Sequence, residues 1–529
     1  MDKIFLQNEY KKIFSRIVNG DNITVLRYGD GERAIMTGEK VVAQEGWSSE
    51  GESPLAIALR ESLNFTDDNV YYGISCPCCD RPAYYWYSTR IASKQITFAN
   101  LFVNSNYQSF KSDFLTLTRD AIVIANHAGK NNRIGNLNVL KYYAVGDDCI
   151  SCWEEECGSI VSRIISEYGS RDNLLYVVSA GPMAEPIIAE LYKHNPNNCY
   201  IDFGSSIDIY IHGSDTRPYS KPGTVYSKRN CWMFDPNTAD FDVSVVLTTY
   251  KKPESLTEQL AAIDKQTLRP REIRLFKDAI DGFYSIDLND EFLSSFDDCC
   301  IAKCNRGVWG RFDYARECKS KYVCLFDDDT IPGDCWLESC HFEMMQHEGI
   351  YGTIGIVLEN SSGYPIDKHS YYRVGWAEPN EQLMEVDFVG HSWFLPRKAL
   401  DYMFEKTEQL QQYKVAAEDM TLSAKALQYG LSTFVPPHPY DNKRVWGSDS
   451  SLAMHFGQAS GSLSMNVGNL RKMESAIVDL TKTGASFLFQ RNPGLVKMQK
   501  RILNRYHNVE LMKHYLKVVY RKVFRRNKG

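Results

Sequence analysis

The sequence predicts an α/β protein made of two doubly wound, Rossmann-like domains followed by a helical, basic tail. Short β-rich apolar runs alternate with amphipathic helical stretches along most of the 529 residues, which is typical of parallel sheets covered by helices on both faces. The alternation stops at polar, proline-containing segments and restarts at Asp242. Near the C-terminus, apolar residues recur at helical spacing among many lysines and arginines. We therefore expect domains at 1–235 and 236–480 and a tail at 481–529.

The composition limits what kind of protein this is. With 43% hydrophobic and 24% charged residues the chain can fill two or three soluble cores, and its net charge of -6 carries no signature of nucleic-acid binding. No apolar run approaches the roughly 20 residues that span a bilayer, and the first residues lack the apolar core of a signal peptide. We therefore expect the protein to stay in the cytoplasm. Its fifteen cysteines have no disulfide-scaffold spacing, so we expect them to be reduced thiols.

One cysteine cluster stands out in the first domain. Cys76-Pro-Cys78-Cys79 could be half of a zinc site. No matching Cys-x-x-Cys or His-x-x-x-His motif stands near it in the sequence, so ordinary thiols are the favoured interpretation.

The first acidic motif follows an opening amphipathic helix and a predicted strand. It reads Arg27-Tyr-Gly29-Asp30-Gly-Glu32. In an extended or turning backbone, residues two apart point the same way, so Asp30 and Glu32 can converge on one cation while the glycines let a phosphate approach. The alternative is a hairpin turn with exposed acids.

Further β-rich runs continue the α/β pattern of this domain; they lie at residues 70–74, 95–98, 121–125, 174–178 and 199–201. After the fourth run, Ser179-Ala-Gly181-Pro182 precedes a predicted helix at 183–192. A turn of this kind at a helix N-terminus resembles a nucleotide-cradling turn.

These motifs, together with Tyr200-Ile-Asp202-Phe-Gly204-Ser-Ser-Ile-Asp208, resemble the GT-D glycosyltransferases, a bacterial family first catalogued as a domain of unknown function. The resemblance covers most of residues 20–215. It implies that Asp30 and Glu32 hold a metal ion and the diphosphate of a nucleotide sugar. The residues that it places beside the nucleotide are Arg27, Gly29 and Gly181. Where this chain has Gly204-Ser-Ser-Ile-Asp208, the family usually has Asp-Ile-Gly-His-x-Asp.

The second domain opens with a βαβ pattern and contains the most acidic strand end of the chain. The apolar run Tyr322-Val-Cys-Leu-Phe stops at Asp327-Asp328-Asp329. A strand of this kind is normally buried in a parallel sheet, so the acids emerge at the edge where such sheets bind ligands. Adjacent carboxylates repel one another, and a divalent cation bridging a diphosphate relieves that repulsion. The alternative is a solvated acidic turn.

A set of motifs in this domain resembles the family 2 glycosyltransferases, which have a GT-A fold. The set comprises Val245-Val-Leu-Thr-Thr-Tyr250, Gln266-Thr267, Asp278, Asn305-Arg-Gly307, Ala315-Arg316 and Phe326-Asp-Asp-Asp329, and the resemblance covers about residues 242–450. It implies that Thr249, Asp278 and Asn305 contact the nucleotide. It also implies that Asp327 and Asp329 bind Mn²⁺ or Mg²⁺, which would stabilise the departing diphosphate.

Later segments supply candidates for the acceptor side and for a remaining metal ligand. Glu418 and Asp419 lie in the first turn of a predicted helix, where favourable interaction with the helix dipole is a sufficient structural reason for one of the two acids. By the same resemblance, both face the acceptor, and Asp419 is the first choice of general base and Glu418 the second. Trp393 either stacks under a sugar or packs in the core. A late histidine often completes the metal site in GT-A folds, and His438 and His455 are available, of which we choose His455.

The tail is a basic amphipathic helix or helix pair. From Lys497 onward, basic residues accompany a single acid, Glu510. Such a helix can lie on an anionic membrane beside a lipid-linked acceptor, or it can pack on the second domain with a solvated basic face.

These two resemblances together imply a bifunctional, metal-dependent hexosyltransferase that uses nucleotide sugars, with UDP-sugars as the expected donors. It would extend a bacterial surface glycan of the capsule or O-antigen type, in the cytoplasm or on the inner face of the cytoplasmic membrane, with inversion in the second domain. The alternative is that only the second domain is catalytic and the first binds glycan or acts as a scaffold; Ser205-Ser206 favours that alternative. A nucleotidyltransferase would need an early glycine-rich, lysine-bearing loop, and Thr248-Thr-Tyr-Lys-Lys-Pro253 has no glycine.

Overall fold

The computed structural model describes residues 2–42, 47–215, 217–251, 253–280, 288–376, 378–449, 451 and 466–526. The chain divides into two compact units, Met1–Asp240 and Phe241–Gly529. Each unit is built around one large sheet with helices. The predicted α/β class with parallel sheets is confirmed, and the C-terminal stretch is helical.

The first unit contains a seven-stranded sheet in which every neighbouring pair of strands is parallel. The strands of the unit are β1 Lys3–Phe5, β2 Thr24–Arg27, β3 Val41–Val42, β4 Ser48–Ser49, β5 Val70–Ile74, β6 Ile96–Phe98, β7 Asp120–Asn126, β8 Asn138–Val145, β9 Leu175–Ser179, β10 Cys199–Asp202 and β11 Trp232–Phe234. Its helices are α1 Leu6–Asn19, α2 Asp30–Thr37, α3 Pro54–Glu61, α4 Arg81–Ser88, α5 Tyr107–Phe114, α6 Cys149–Cys152, α7 Gly158–Tyr168, α8 Ala184–His194, α9 Asp208–Ile211 and α10 Val225–Lys228.

The strand order of this sheet determines where a ligand can bind. The order is β6-β5-β2-β10-β9-β7-β8, so the chain moves outward from β2 through β5 to β6, crosses to β7 and β8, and returns inward through β9 to β10. Strands β2 and β10 are parallel neighbours, so the residues that follow them meet at the same carboxyl edge of the sheet, which is where open α/β sheets bind ligands. Asp30 follows β2 and Gly204 follows β10 at this edge.

The second unit contains a nine-stranded sheet that is only partly parallel. Its strands are β12 Val243–Thr249, β13 Glu272–Lys277, β14 Asp298–Ile301, β15 Tyr322–Phe326, β16 Gly349–Leu358, β17 Tyr371–Gly375, β18 Met384–Val386, β19 Phe388–Pro396 and β20 Ser432–Val435. Strands β14, β13, β12 and β15 are parallel, whereas β19 pairs antiparallel with both β15 and β16. The second sheet is therefore mixed, and the doubly wound pattern is limited to its first half.

The helices of the second unit include a long C-terminal one. They are α11 Leu256–Asp264, α12 Asp290–Leu293, α13 Gly310–Ala315, α14 Trp336–Met344, α15 Lys398–Phe404, α16 Glu408–Gln411, α17 Glu418–Gln428, α18 Val467–Lys482, α19 Leu488–Arg491 and α20 Pro493–Arg526. The first part of α20 packs on the unit, since Val496 and Leu503 are buried and Tyr372 Oη donates to Val496 O at 3.2 Å. No helix in the described part of the chain combines the length and the apolar character needed to cross a bilayer.

A buried aspartate connects the sheet of this unit to its C-terminal helices. Asp387, which precedes β19, accepts hydrogen bonds from Leu358 N at 2.7 Å and from Leu488 N at 2.6 Å, one on each carboxylate oxygen. Burial raises the pKa of this carboxyl to about 6. The two hydrogen bonds link β16 to the start of α19.

We expect Asp387→Asn to lower the free energy of unfolding by about 1–3 kcal/mol, because the amide NH₂ would face one backbone N–H and leave that buried donor without an acceptor. Urea denaturation near neutral pH measures the change. The control is Asp401→Asn on the surface of α15, where the carboxylate pairs with half-exposed arginines and the expected change is within about 0.5 kcal/mol. Equal effects of the two substitutions would contradict the prediction.

Candidate active site

The acidic turn after β15 is held by hydrogen bonds from three other elements. Asp327 N donates to His391 O in β19 at 2.9 Å. Gln259 Nε2 in α11 donates to Asp327 O at 2.6 Å and to Thr330 O at 2.9 Å. Thr248 Oγ1 in β12 donates to Phe326 O at 2.9 Å. The backbone of the turn is therefore fixed before any ligand binds.

Asp327, Asp329 and His391 form a group that can hold a cation. Each offers one ligand atom, and these atoms all lie within 4.8 Å of one another. His391 Nδ1 lies 3.6 Å from Asp329 Oδ1 and is buried without a hydrogen-bond partner among the described residues. Burial alone would lower the pKa of His391, but the carboxylates of Asp329 and Asp327 outweigh it and raise the pKa. Two carboxylates and one imidazole fit Mn²⁺ or a similar divalent ion.

The histidine in this group is not one that the sequence predicted. His391 lies in β19 with a φ of 67°, in the left-handed region that is unfavourable for a residue with a Cβ, and the Trp376 ring packs on it at 4.6 Å between centroids. His438 is buried against Trp446, with ring centroids 4.4 Å apart, and is not part of the group. His455 lies outside the described residues. The antiparallel pairing of β19 with β15 brings His391 to the acids.

Arg311 in α13 connects the candidate metal ligands to the candidate base. Its guanidinium forms an ion pair with Asp327 and donates through Nη2 to Glu418 Oε1 at 3.1 Å. It also lies 4.8 Å from the Trp393 ring centroid, a cation–π contact. Arg311 was not among the predicted site residues, because nothing in the local sequence shows that α13 reaches both acids.

Glu418 and Asp419 begin α17 directly after Ala417, which has a φ of 76°. Burial raises the pKa of Glu418, although Arg311 opposes that rise. Burial and the adjacent Glu418 hold the pKa of Asp419 well above its ordinary value. Because Glu418 is engaged by Arg311, Asp419 is the better placed of the two to accept a proton.

The predicted nucleotide-contacting residues lie at the ends of β12 and β13. Thr249 Oγ1 is buried and has no hydrogen-bond partner within the described ranges. Asp278 accepts hydrogen bonds from three backbone amides, those of Ala279 at 2.9 Å, Arg306 at 2.9 Å and Gly307 at 3.0 Å. Asn305 Oδ1 also accepts from Gly307 N at 2.9 Å. Asp278 and Asn305 thus fix the shape of the loop at 305–307.

Trp393 packs in the core and does not present its ring to a ligand. It is 1% exposed, its Nε1 donates to Val389 O at 2.8 Å, and its ring meets Phe312 edge to face. The interpretation of Trp393 as a sugar-stacking residue is therefore wrong. Its neighbours in β19, Ser392 and Phe394, are buried as well, so both faces of the sheet are covered at this point.

In the first unit, Asp30 and Glu32 lie in the first turn of a helix. Glu32 accepts a hydrogen bond from Gly29 N at 2.7 Å, and Tyr87 Oη donates to Gly29 O at 2.8 Å. Burial raises the pKa of Glu32 to about 7. The prediction of an extended or turning backbone at Asp30 and Glu32 is wrong, because both residues lie in a helix. Side chains two residues apart in a helix diverge, so the exposed Asp30 and the capping Glu32 do not point the same way. The Gly-x-x-Glu spacing of a helix N-terminus was the available signal.

The neighbouring strand ends of this unit hold a buried cluster of acids around Arg27. Arg27 donates to Ala99 O at 2.8 Å and to Phe203 O at 2.7 Å, and its Nε lies 3.8 Å from Asp202 Oδ2. Glu185, at the start of α8, is 1% exposed, and burial together with Asp202 and Glu32 holds its pKa well above the ordinary value. Glu185 was not among the residues predicted from the sequence.

Gly181 lies in the turn between β9 and α8 with a φ of 56°. A Cβ built there would meet nothing within 4 Å, so the backbone of this turn is open to a close-approaching ligand. The turn is the strand-to-helix connection that the sequence predicted, next to the strand that carries Asp202.

No protein-family model and no curated protein matches this chain. Among solved structures, it is similar to a domain of unknown function 1792 described as having a distinct glycosyltransferase fold, with 15% identity, coverage of 39% of this chain and 81% of that one, and a TM-score of 0.30. A mannosyltransferase from Pyrobaculum calidifontis, in complex with GDP-Man and Mn²⁺, has 14% identity, coverage of 54% and 87%, and a TM-score of 0.25. S. aureus TarS has 14% identity, coverage of 37% and 36%, and a TM-score of 0.26. Because the sequence identities and TM-scores are this low, the three similar structures assign neither a family nor a reaction to this chain.

We expect Arg311→Met to lower the free energy of unfolding by about 3–5 kcal/mol, because it leaves buried Glu418 and half-buried Asp327 without their shared counter-charge. Added Mn²⁺ should raise the melting temperature of this variant more than that of the wild type, since a cation can then replace the lost positive charge. Differential scanning calorimetry with and without Mn²⁺ measures both effects.

Arg316→Met is the matched control, because Arg316 pairs with Asp401 at a half-exposed position where an ion pair contributes about 0–1 kcal/mol. A loss for Arg311→Met no larger than that of the control would show that Arg311 does not balance these acids.

Proposed function

We propose that this chain is a metal-dependent glycosyltransferase that uses nucleotide-sugar donors. The observation that carries the proposal is the convergence of Asp327, Asp329 and His391 at the end of β15, next to Arg311 and the acids of α17. A cation can stabilise a departing diphosphate, and a carboxylate of raised pKa can accept the proton of an attacking hydroxyl, so the two groups together suit glycosyl transfer from a nucleotide sugar. The family 2-like motifs at the same strand ends agree with it.

In the second unit, Asp327, Asp329 and His391 would hold Mn²⁺ or Mg²⁺. That ion would neutralise the negative charge that develops on the departing diphosphate. The hydroxyl of Thr249 and the loop at 305–307 would receive the nucleoside, for which we expect uridine. Asp419 would take the proton from the acceptor hydroxyl as its oxygen attacks the anomeric carbon from the side opposite the diphosphate, which inverts the configuration. Arg311 would orient Glu418 beside this base.

In the first unit, we propose a second donor site at the carboxyl ends of β2 and β10, formed by Asp30 and Glu32 with Arg27, Gly29 and Gly181. The buried acids Glu185 and Asp202 add negative charge that a cation could offset. The alternative is that this unit binds glycan or serves as a scaffold. The engagement of Glu32 in capping Gly29 N favours the alternative.

The substrate class we propose is a growing bacterial surface glycan of the capsule or O-antigen type, held on a lipid carrier. Two transferase units in one chain suit successive or alternating additions, an inference by analogy. The chain would then work at the inner face of the cytoplasmic membrane.

Donor turnover tests the two metal assignments. We expect Asp327→Ala/Asp329→Ala and Asp30→Ala/Glu32→Ala each to abolish use of a different sugar nucleotide in a panel assayed with Mn²⁺, because each pair would hold a separate diphosphate. His391→Ala should raise the Mn²⁺ concentration needed for half-maximal activity of the second unit. Asp401→Ala/Glu405→Ala, on the surface of the second unit, is the control and should keep full activity.

If Asp30→Ala/Glu32→Ala keeps every activity, the first unit is a binding module. If no variant loses any sugar-nucleotide turnover relative to the control, the chain is not the transferase proposed here.

Membrane contact through α20 has a separate test. Beyond His507, which contacts Pro379 O and Glu378, the helix exposes apolar side chains: Leu511, Met512, Tyr515 and Leu516 are 59–68% exposed. We expect the chain to co-sediment with vesicles containing anionic lipid and not with zwitterionic ones, since lysines and arginines accompany these residues. Leu511→Ser/Leu516→Ser should weaken binding, whereas Val467→Ser, at an exposed position of α18, should not. Equal binding by all three proteins would exclude this role for α20.

A further inference from the structure

Four cysteines from distant parts of the first unit meet at one point. Cys76, Cys78 and Cys79 lie in the turn between β5 and α4, and Cys231 lies immediately before β11. Their four Sγ atoms are all within 4.8 Å of one another. Cys76 and Cys78 Sγ are 3.2 Å apart, and Cys79 and Cys231 Sγ are 3.6 Å apart. The missing fourth ligand of the Cys76-Pro-Cys78-Cys79 motif is thus Cys231.

We propose that these four cysteines bind one structural Zn²⁺ ion, independently of the reaction proposed above. Tetrahedral zinc with Zn–S bonds of about 2.3 Å places its sulfurs about 3.8 Å apart. The separations of 3.2 and 3.6 Å lie slightly below that value, and all four sulfurs lie within 4.8 Å of one another. A disulfide would need two sulfurs at about 2.05 Å, well below the separations observed. Four protein ligands leave no open position for a substrate, which is the arrangement of structural rather than catalytic zinc sites.

The donor set also separates this site from the acidic one in the second unit. Thiolates are soft ligands that select zinc and related ions, whereas carboxylates suit magnesium and manganese. The two groups are the only ones with three or more potential ligands that the described residues bring together. A zinc ion here therefore would not compete with a metal ion bound at Asp327 and Asp329.

The surroundings of the cluster supply hydrogen bonds and charge. Asn100 Nδ2 donates to Cys231 Sγ at 3.2 Å, and Arg229 Nη1 donates to Cys79 Sγ at 3.3 Å. Such outer contacts orient the ligands, and the positive charge of Arg229 offsets part of the negative charge of four thiolates around one divalent ion. Cys76 and Cys231 are buried, whereas Cys78 and Cys79 are exposed, which gives the metal a path of entry.

The position of the cluster indicates what the metal would stabilise. Cys231 leads into β11, which pairs with β1 outside the main sheet, whereas the other three cysteines lead into α4. A zinc ion would therefore connect the segment before β11 to the turn that follows β5. Tyr87 of α4 braces Gly29, the residue before Asp30. The ion would thereby support the turn that begins α2 without contacting it.

Metal analysis of the full-length chain, purified under reducing conditions without added metal, tests this proposal. We expect about one zinc per chain by inductively coupled plasma mass spectrometry, and loss of that zinc in Cys79→Ser/Cys231→Ser. Two matched variants should keep it: Cys299→Ser/Cys304→Ser, which removes thiols outside the cluster, and Asp327→Ala/Asp329→Ala, which removes the acidic group. Chelation of the wild type should lower its melting temperature and leave that of Cys79→Ser/Cys231→Ser unchanged.

Cobalt replacement keeps the proposal testable if the cysteine variant does not fold. The wild type loaded with Co²⁺ should show thiolate-to-metal charge-transfer bands and the intense d–d bands of a tetrahedral four-sulfur site. The proposal is overturned if the wild type holds no more zinc than the cysteine variant, if iron or copper is present in place of zinc, if zinc is lost with Asp327 and Asp329 instead, or if Cys79 and Cys231 form a disulfide.

Discussion

The structure of the second unit depends on how it accommodates several carboxylates around one guanidinium. Asp327 and Glu418 share Arg311, while Asp329 lies beside His391 and Asp419 has no share in the guanidinium contacts described. One arginine cannot neutralise four acids, so the remaining charge must be met by protonation or by a bound cation. The raised pKa values of Glu418 and Asp419 are the first response, and the ligand set of Asp327, Asp329 and His391 provides for the second. A cation bound at Asp327 would therefore change the charge that Arg311 offers to Glu418, the neighbour of the candidate base Asp419.

The two units answer the same electrostatic problem differently. In the first unit, acids also lie near one arginine at the carboxyl ends of adjacent strands. Arg27, however, donates its hydrogen bonds to backbone carbonyls, and Glu32 caps the N-terminus of a helix. In the second, the guanidinium and the imidazole face the acids directly. In the second unit the side chains that could hold a cation therefore contact one another, whereas in the first the polar groups are engaged mainly with the backbone.

What could be predicted from the sequence was local. Buried strand patterns located β15 and the acids at its end, and the strand-to-helix turn at Gly181 followed from the same alternation. His391, Arg311 and Cys231 could not be identified as partners, because the pairing of β19 with β15, the reach of α13 and the return of the chain before β11 are contacts between residues far apart in sequence. Asp30 and Glu32 were placed in the wrong backbone, although the spacing of Glu32 from Gly29 is that of a helix cap.

The close packing at Gly307 links two sides of the candidate site mechanically. A Cβ at this position, which has a φ of 66°, would lie 2.1 Å from Lys414 O, and Val308 N and Trp309 Nε1 donate to the carbonyls of Lys414 and Tyr413. The loop that Asp278 fixes is thus seated on the segment that leads into Glu418 and Asp419. A nucleoside that displaced this loop would shift the start of α17 with it, so occupancy on the donor side would set the position of the base. For the transferase proposed above, such a linkage would favour binding of the donor before the acceptor.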